Sequence, residues 1–91
     1  MANVVVTLKI MPDSPDVNLD KLEEDTQHII KEFAGDIGRV VKEPVGFGLT
    51  ALKITFVMSE DLGGTDDLEE KVKELKDVGN AEVVDVRRAV G

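Results

Sequence analysis

Residues 3–11 follow a period of two, with Val4, Val6, Leu8 and Ile10 on one wholly apolar side and Val5, Thr7, Lys9 and Met11 on a mixed one. A period of two sustained over that length predicts a β-strand with one wholly apolar face. Met11-Pro12-Asp13-Ser14-Pro15-Asp16 ends it, because two prolines remove backbone donors and push their predecessors away from helical angles. The period then changes. Leu19, Leu22, Thr26, Ile29, Ile30 and Phe33 recur at helical spacing, Asn18 stands before them as an N-cap, and Val17 with Leu22 occupies the two positions of a hydrophobic staple. Asp20, Glu23 and Glu24 fall in the first turns, where negative charge favours the helix dipole, and Gly35 supplies a stop.

From Asp36 to Val45 the pattern is a weaker strand, with Ile37, Arg39, Val41 and Val45 opposite Gly38, Val40 and Lys42; Pro44 and the mixed faces suit a sheet edge. After Gly46-Phe47-Gly48, Leu52, Ile54, Phe56 and Met58 alternate with Ala51, Lys53, Thr55 and Val57, which predicts a central strand hairpinned to its predecessor. A break at residues 59–64 leads to Thr65, placed to cap a second helix with Leu68, Val72 and Leu75 as its apolar face and Gly79 as its end. Residues 81–90 form the last strand, in which Val83, Val84 and Val86 cannot share a face by strict alternation, so a bulge is expected.

The order βαββαβ predicts an α+β fold of the ferredoxin-like sandwich type, a four-stranded antiparallel sheet with both helices on one face. Residues 1–91, 42% hydrophobic and 33% charged, fit a single domain. A chain of this length buries roughly 60–65% of its unfolded surface, enough for one core. The other sheet face carries Thr7, Lys9, Lys53, Thr55 and Val57, to be solvated or docked. The fold hosts many unrelated tasks, so function has to come from particular residues.

The formal charge of −8 opposes nonspecific binding to phosphate backbones and anionic membranes. The absence of cysteine removes thiol catalysis, disulfides and thiolate metal sites, and permits a reducing interior. The opening residues lack the basic and long apolar regions of a signal peptide, so a cytoplasmic location is expected. His28, the one histidine, lies mid-helix with no second histidine or thiol to complete a metal or nucleophile set, and reads as a surface or boundary residue. Asp66, Asp67, Glu69 and Glu70 suit a helix start better than a tuned acid/base pair. No P-loop or dinucleotide fingerprint is present, the sheet lacks the exposed aromatics of an RNA-recognition surface, and the first loop has no arginine for the phosphate cradle of an acylphosphatase. No catalytic residue, cofactor or metal is assigned.

Two features remain. Phe47, one of three aromatic residues, stands between Gly46 and Gly48, which either free it to be presented outward or fold it back over the sheet edge. Arg87-Arg88 is the one compact basic feature; adjacent strand residues face opposite ways, and edge solubility or pairing with Asp85 or Glu82 accounts for them locally.

Taken together, Val-Val-Val-Thr-Leu-Lys-Ile-Met-Pro-Asp-Ser-Pro-Asp-Val at the start, Glu-Pro-Val-Gly-Phe-Gly-Leu-Thr-Ala-Leu-Lys in the middle and Asp-Val-Arg-Arg near the end resemble the archaeal elongation factor 1-beta family over essentially the whole chain. The resemblance implies guanine nucleotide exchange on the GTPase elongation factor 1-alpha, without covalent chemistry. It also implies contact between that GTPase and Phe47, with Gly46 and Gly48 setting the exposure of the ring. Eukaryotic relatives direct a C-terminal lysine toward the partner's magnesium and phosphate region. This chain ends Ala89-Val90-Gly91 with no such lysine, and the candidate substitute is Arg87 or Arg88, neither at the matching position. The expected state is a monomer when free, with no direct nucleic acid or membrane partner. The rival is a regulatory or ligand-sensing module that dimerises through its open sheet face.

Overall fold

A computed structural model describes residues 3–33, 36–62 and 64–88. Strand β1 (Asn3–Pro12) is followed by helix α1 (Leu19–Phe33), strands β2 (Asp36–Gly46) and β3 (Leu49–Ser59), a 3-10 turn at Glu60–Leu62, helix α2 (Asp66–Lys73) and strand β4 (Val78–Arg88). The strands form one antiparallel sheet in the order β2-β3-β1-β4, so the two best-patterned strands are central, as their fully apolar faces require. This is the expected βαββαβ sandwich. Val6, Leu8 and Ile10 of β1 meet Leu52, Ile54, Phe56 and Met58 of β3 beneath Leu22, Ile30, Leu68 and Val72 of the helices, all buried.

The first helix starts as its sequence dictates. Asn18 Oδ1 accepts from the amides of Asp20 (3.1 Å) and Lys21 (3.2 Å), and Val17 packs on the core beside Leu22. Thr26, the one polar residue among the buried side chains, donates to the Leu22 carbonyl at 2.7 Å. Gly35, expected as the stop, lies outside the described residues.

Three local expectations are corrected. Pairing slips between Ile37 and Arg39, so that Val40 faces Ile54 and Lys42 faces Leu52 on the helix side, while Arg39 and Val41 share the open face. A bulge at Gly38 inserts one residue and inverts the faces read from strict alternation. Thr65 stands at the N-cap of α2 but makes no capping bond; its hydroxyl donates to Glu69 Oε1 at 3.2 Å, and Glu69 Oε2 accepts from the Val83 amide at 3.3 Å. That amide is displaced where β4 shifts register between Asp85 and Val83, the expected bulge. Finally, α2 closes at Lys73, and Gly79 lies inside β4. A Cβ on Gly79 would stand 3.1 Å from the Pro12 carbonyl oxygen and 3.3 Å from the Asp13 Cα, so the glycine serves a close approach of two backbones.

Candidate functional site

Gly46 pairs with Leu49, leaving Phe47 and Gly48 as the two-residue connection of the β2–β3 hairpin. Both central residues have positive φ, 55° at Phe47 and 75° at Gly48, after 104° at Gly46. Positive φ at both positions is what a type I′ turn demands, and asparagine, aspartate or glycine normally occupies the first of them. Phe47 is the one non-glycine residue in that region among the described residues. Left-handed backbone costs an L-residue about 1–2 kcal/mol, with no compensating side-chain bond available to a phenyl ring. The ring itself is 99% exposed, whereas Phe56 is buried and Phe33 packs against the core. The alternative of a ring folded back over the sheet edge is therefore set aside. The tip is a narrow, well-defined turn that holds one large apolar group in solvent.

The strands beneath the tip are tied at their margins. Lys53 Nζ bridges to Glu43 Oε2 at 2.6 Å across β2 and β3, and that ammonium holds the Glu43 carboxyl below its ordinary 4.5. Lys42 reaches from β2 to Asp20 in the first turn of α1 at 2.9 Å; the hydrogen bond lowers the Asp20 carboxyl and raises the Lys42 ammonium. On its other flank the tip approaches the β1–α1 connection: a Cβ built on Gly48 would lie 3.7 Å from Pro15 Cβ, ordinary contact distance. Pro15 escaped the sequence reading, which treated it as a strand breaker. The available signal was topological, since in this strand order the β1–α1 connection and the β2–β3 hairpin share one end of the sheet.

Arg87 and Arg88 lie elsewhere. Arg87 belongs to the row Val57–Val5–Arg87 on the open face, and Arg88 pairs with Val4 on the helix side, so the two do point opposite ways. The row of Arg87 is about 27 Å along β3 from Leu49, at the ~3.4 Å rise per residue of an antiparallel strand. The molecule is 42 Å in its longest dimension. Gly46, Phe47 and Gly48 thus sit together at one end, and Arg87 and Arg88 sit together near the other. Both arginines are engaged at the surface, Arg87 with Asp85 at 2.9 Å and Arg88 with Glu60 at 3.0 Å. Ala89, Val90 and Gly91 lie outside the described residues.

His28 is largely exposed, 3.1 Å from Glu32, and borders a shallow depression with Glu24, Asp25, Ile29 and Leu75. On the open sheet face Lys9 lies directly across from Lys53.

Residues 5–89 match the family described as the EF-1 guanine nucleotide exchange domain. Among curated proteins, the chain is 42% identical to "Elongation factor 1-beta" of Methanothermobacter thermautotrophicus, over 97% of this chain and 98% of that one. It is 44% identical to "Elongation factor 1-beta" of Pyrococcus abyssi, over 94% of each chain. Among solved structures, an uncharacterized protein from Thermotoga maritima superimposes with a TM-score of 0.54 over 92% of this chain and 96% of its own at 15% identity, a likeness of fold alone.

Proposed function

The chain belongs to the EF-1 guanine nucleotide exchange domain family, and from that membership we infer that it promotes exchange of GDP for GTP on translation elongation factor 1-alpha. The match over residues 5–89 is the observation that carries the function; the exposed, left-handed Phe47 is the one that supports the contact site. The whole chain acts as one exchange domain in the cytoplasm, a monomer when free, with no covalent step and no direct nucleic acid contact.

An exchange factor accelerates release by binding the nucleotide-free GTPase more tightly than the GDP-bound one; linkage then weakens GDP on the complex by the same ratio. Phe47 fits the part of a wedge. The turn fixes the backbone at its apex, so docking has mainly the ring's own rotamer to order, and burying a phenyl group contributes about 1.5–3 kcal/mol. The energy biases exchange when the receiving pocket is complete only in the deformed, nucleotide-free partner. Arg87 and Arg88 form a second proposed contact, for the magnesium and phosphate region, and a GTPase touching both contacts spans most of the sheet's length.

The test follows fluorescent GDP leaving an archaeal elongation factor 1-alpha under excess unlabelled nucleotide, with this protein substoichiometric. Faster release with turnover is expected. No acceleration of a GTPase shown to bind GDP would remove the proposed function.

A further inference from the structure

Phe47 is useful as a wedge only if the turn beneath it points one way, and the hairpin alone does not secure that. Its outer strand β2 is a sheet edge interrupted by pairing shifts at Gly38 and between Pro44 and Gly46, the second immediately below the tip. Bulges bend and twist a strand, so edge pairing by itself leaves the direction of the tip under-determined. The structure places a support beside it. Pro15, in the connection between β1 and α1, lies at contact distance from the position of a Gly48 side chain.

That connection is itself fastened along its length. Pro12 is buried and pairs with Val78, the Asp13 amide donates to the Asp77 carbonyl at 2.8 Å, and the Pro12 carbonyl and Asp13 Cα lie against Gly79 where no Cβ fits. Beyond Pro15 the Val17 amide bonds back to the Ser14 carbonyl at 3.4 Å, Val17 packs on the core, and Asn18 caps α1. Two prolines fix φ at two points of this short path, which limits its freedom further. A line of backbone pairing and close approach thus runs from the start of β4 through residues 12–14 to the Pro15 ring, whose Cβ and Cγ stand 3.7 and 3.8 Å from where a Cβ on Gly48 would lie.

We infer that residues 12–17 form a brace that sets the direction of the hairpin tip, with Pro15 as a positioning residue for Phe47, and that Gly79 is glycine so that the brace can seat. The inference rests on the proposed role of Phe47 at the GTPase. It assigns to the Pro-Asp-Ser-Pro segment and to Gly79 a part in exchange that neither plays by touching nucleotide.

A brace pre-organises binding and does not enter the later step. Removing it raises the concentration of exchange factor that half-saturates GDP release by about two- to tenfold, the scale of ordering one loop side chain, and leaves the maximal release rate unchanged. Pro15→Gly, Pro15→Val and Phe47→Ala are compared in the fluorescent GDP assay. In parallel, 15N relaxation of the Gly48 amide is recorded on each free protein. Pro15→Gly is expected to raise the half-saturating concentration and lower the Gly48 order parameter, Pro15→Val to restore most of both by returning apolar bulk, and Phe47→Ala to weaken exchange with Gly48 still ordered. Should Pro15→Gly fail to fold, Gly79→Ala displaces the same brace from its other end and is expected to shift the same two readouts. If Phe47→Ala impairs exchange while Pro15→Gly leaves half-saturation and Gly48 order as in the parent, the brace is refuted and the wedge stands. Unchanged exchange in Phe47→Ala overturns the wedge, and with it the purpose assigned to the brace, whatever the relaxation shows.

Discussion

A phenylalanine at the first position of a type I′ turn works against the fold that carries it. Substitution by Asn, the residue the turn prefers, is expected to relieve about 0.5–1 kcal/mol of the left-handed penalty and raise Tm by a few degrees in a domain of this size. The same Phe47→Asn protein is expected to exchange GDP about 10- to 150-fold less efficiently, the equivalent of losing a buried phenyl group. Thermal melts and release kinetics on one preparation check both, and a Phe47→Asn protein that is neither more stable nor slower would show that the ring has no role at the tip. The flanking glycines left Phe47 either outward or folded back, and only the family resemblance pointed to an exposed ring; its backbone strain was not legible, because flanking glycines suggest that they alone take the positive φ values. Gly79 misled in the opposite way: a glycine after an amphipathic run reads as a helix stop, and the packing of β4 against Pro12 has no local signature.

The order and type of the elements followed from periodicity, since four alternating runs and two helical runs leave few other arrangements. What periodicity missed were insertions of one residue. The bulge at Gly38 turns Lys42 toward α1, where it meets Asp20, and the bulge in β4 frees the Val83 amide, which Glu69 then accepts. Glu69 had the look of a solvated, dipole-favoured carboxylate, yet it links α2 to the edge strand. Glu69→Ala is expected to cost roughly 1–1.5 kcal/mol in denaturant unfolding, and Glu70→Ala, one position along, much less. The Asp20 carboxyl, depressed by its Lys42 partner, supplies stability that is present above its ordinary 3.8 and is lost as pH falls through the lower folded value. Tm is therefore expected to fall on acidification below about pH 4, and Lys42→Met to flatten that part of the profile. Lys42, raised above 10.5, works in the other window, losing its contribution as pH rises past the folded value.

At the scale of the molecule, the pairing register separates the two proposed contacts that a linear reading sets side by side. The foot of the Phe47 turn at Leu49 and the row of Arg87 are about 27 Å apart along the sheet. Substitutions that far apart, with no shared neighbour, add to within about 0.3–0.5 kcal/mol. Release kinetics of Phe47→Ala, of the paired Arg87→Ala and Arg88→Ala protein, and of the triple variant are expected to multiply; strong non-additivity would mean the partner reads both ends as one unit. Charge is also sorted by layer. On the open face Lys9, Arg39, Lys53 and Arg87 are matched by Asp36, Glu43, Glu82 and Asp85, so none of the net −8 belongs to that face. The central position of β1 has a consequence for biosynthesis. Within this domain β1 is made before both of its neighbours, which begin at Leu49 and Val78, so one of its edges waits for β3 and the other for β4. The sheet is complete only once β4 is made, and such late, non-local pairing leaves the apolar face of β1 to be covered in the meantime by α1, which follows it directly.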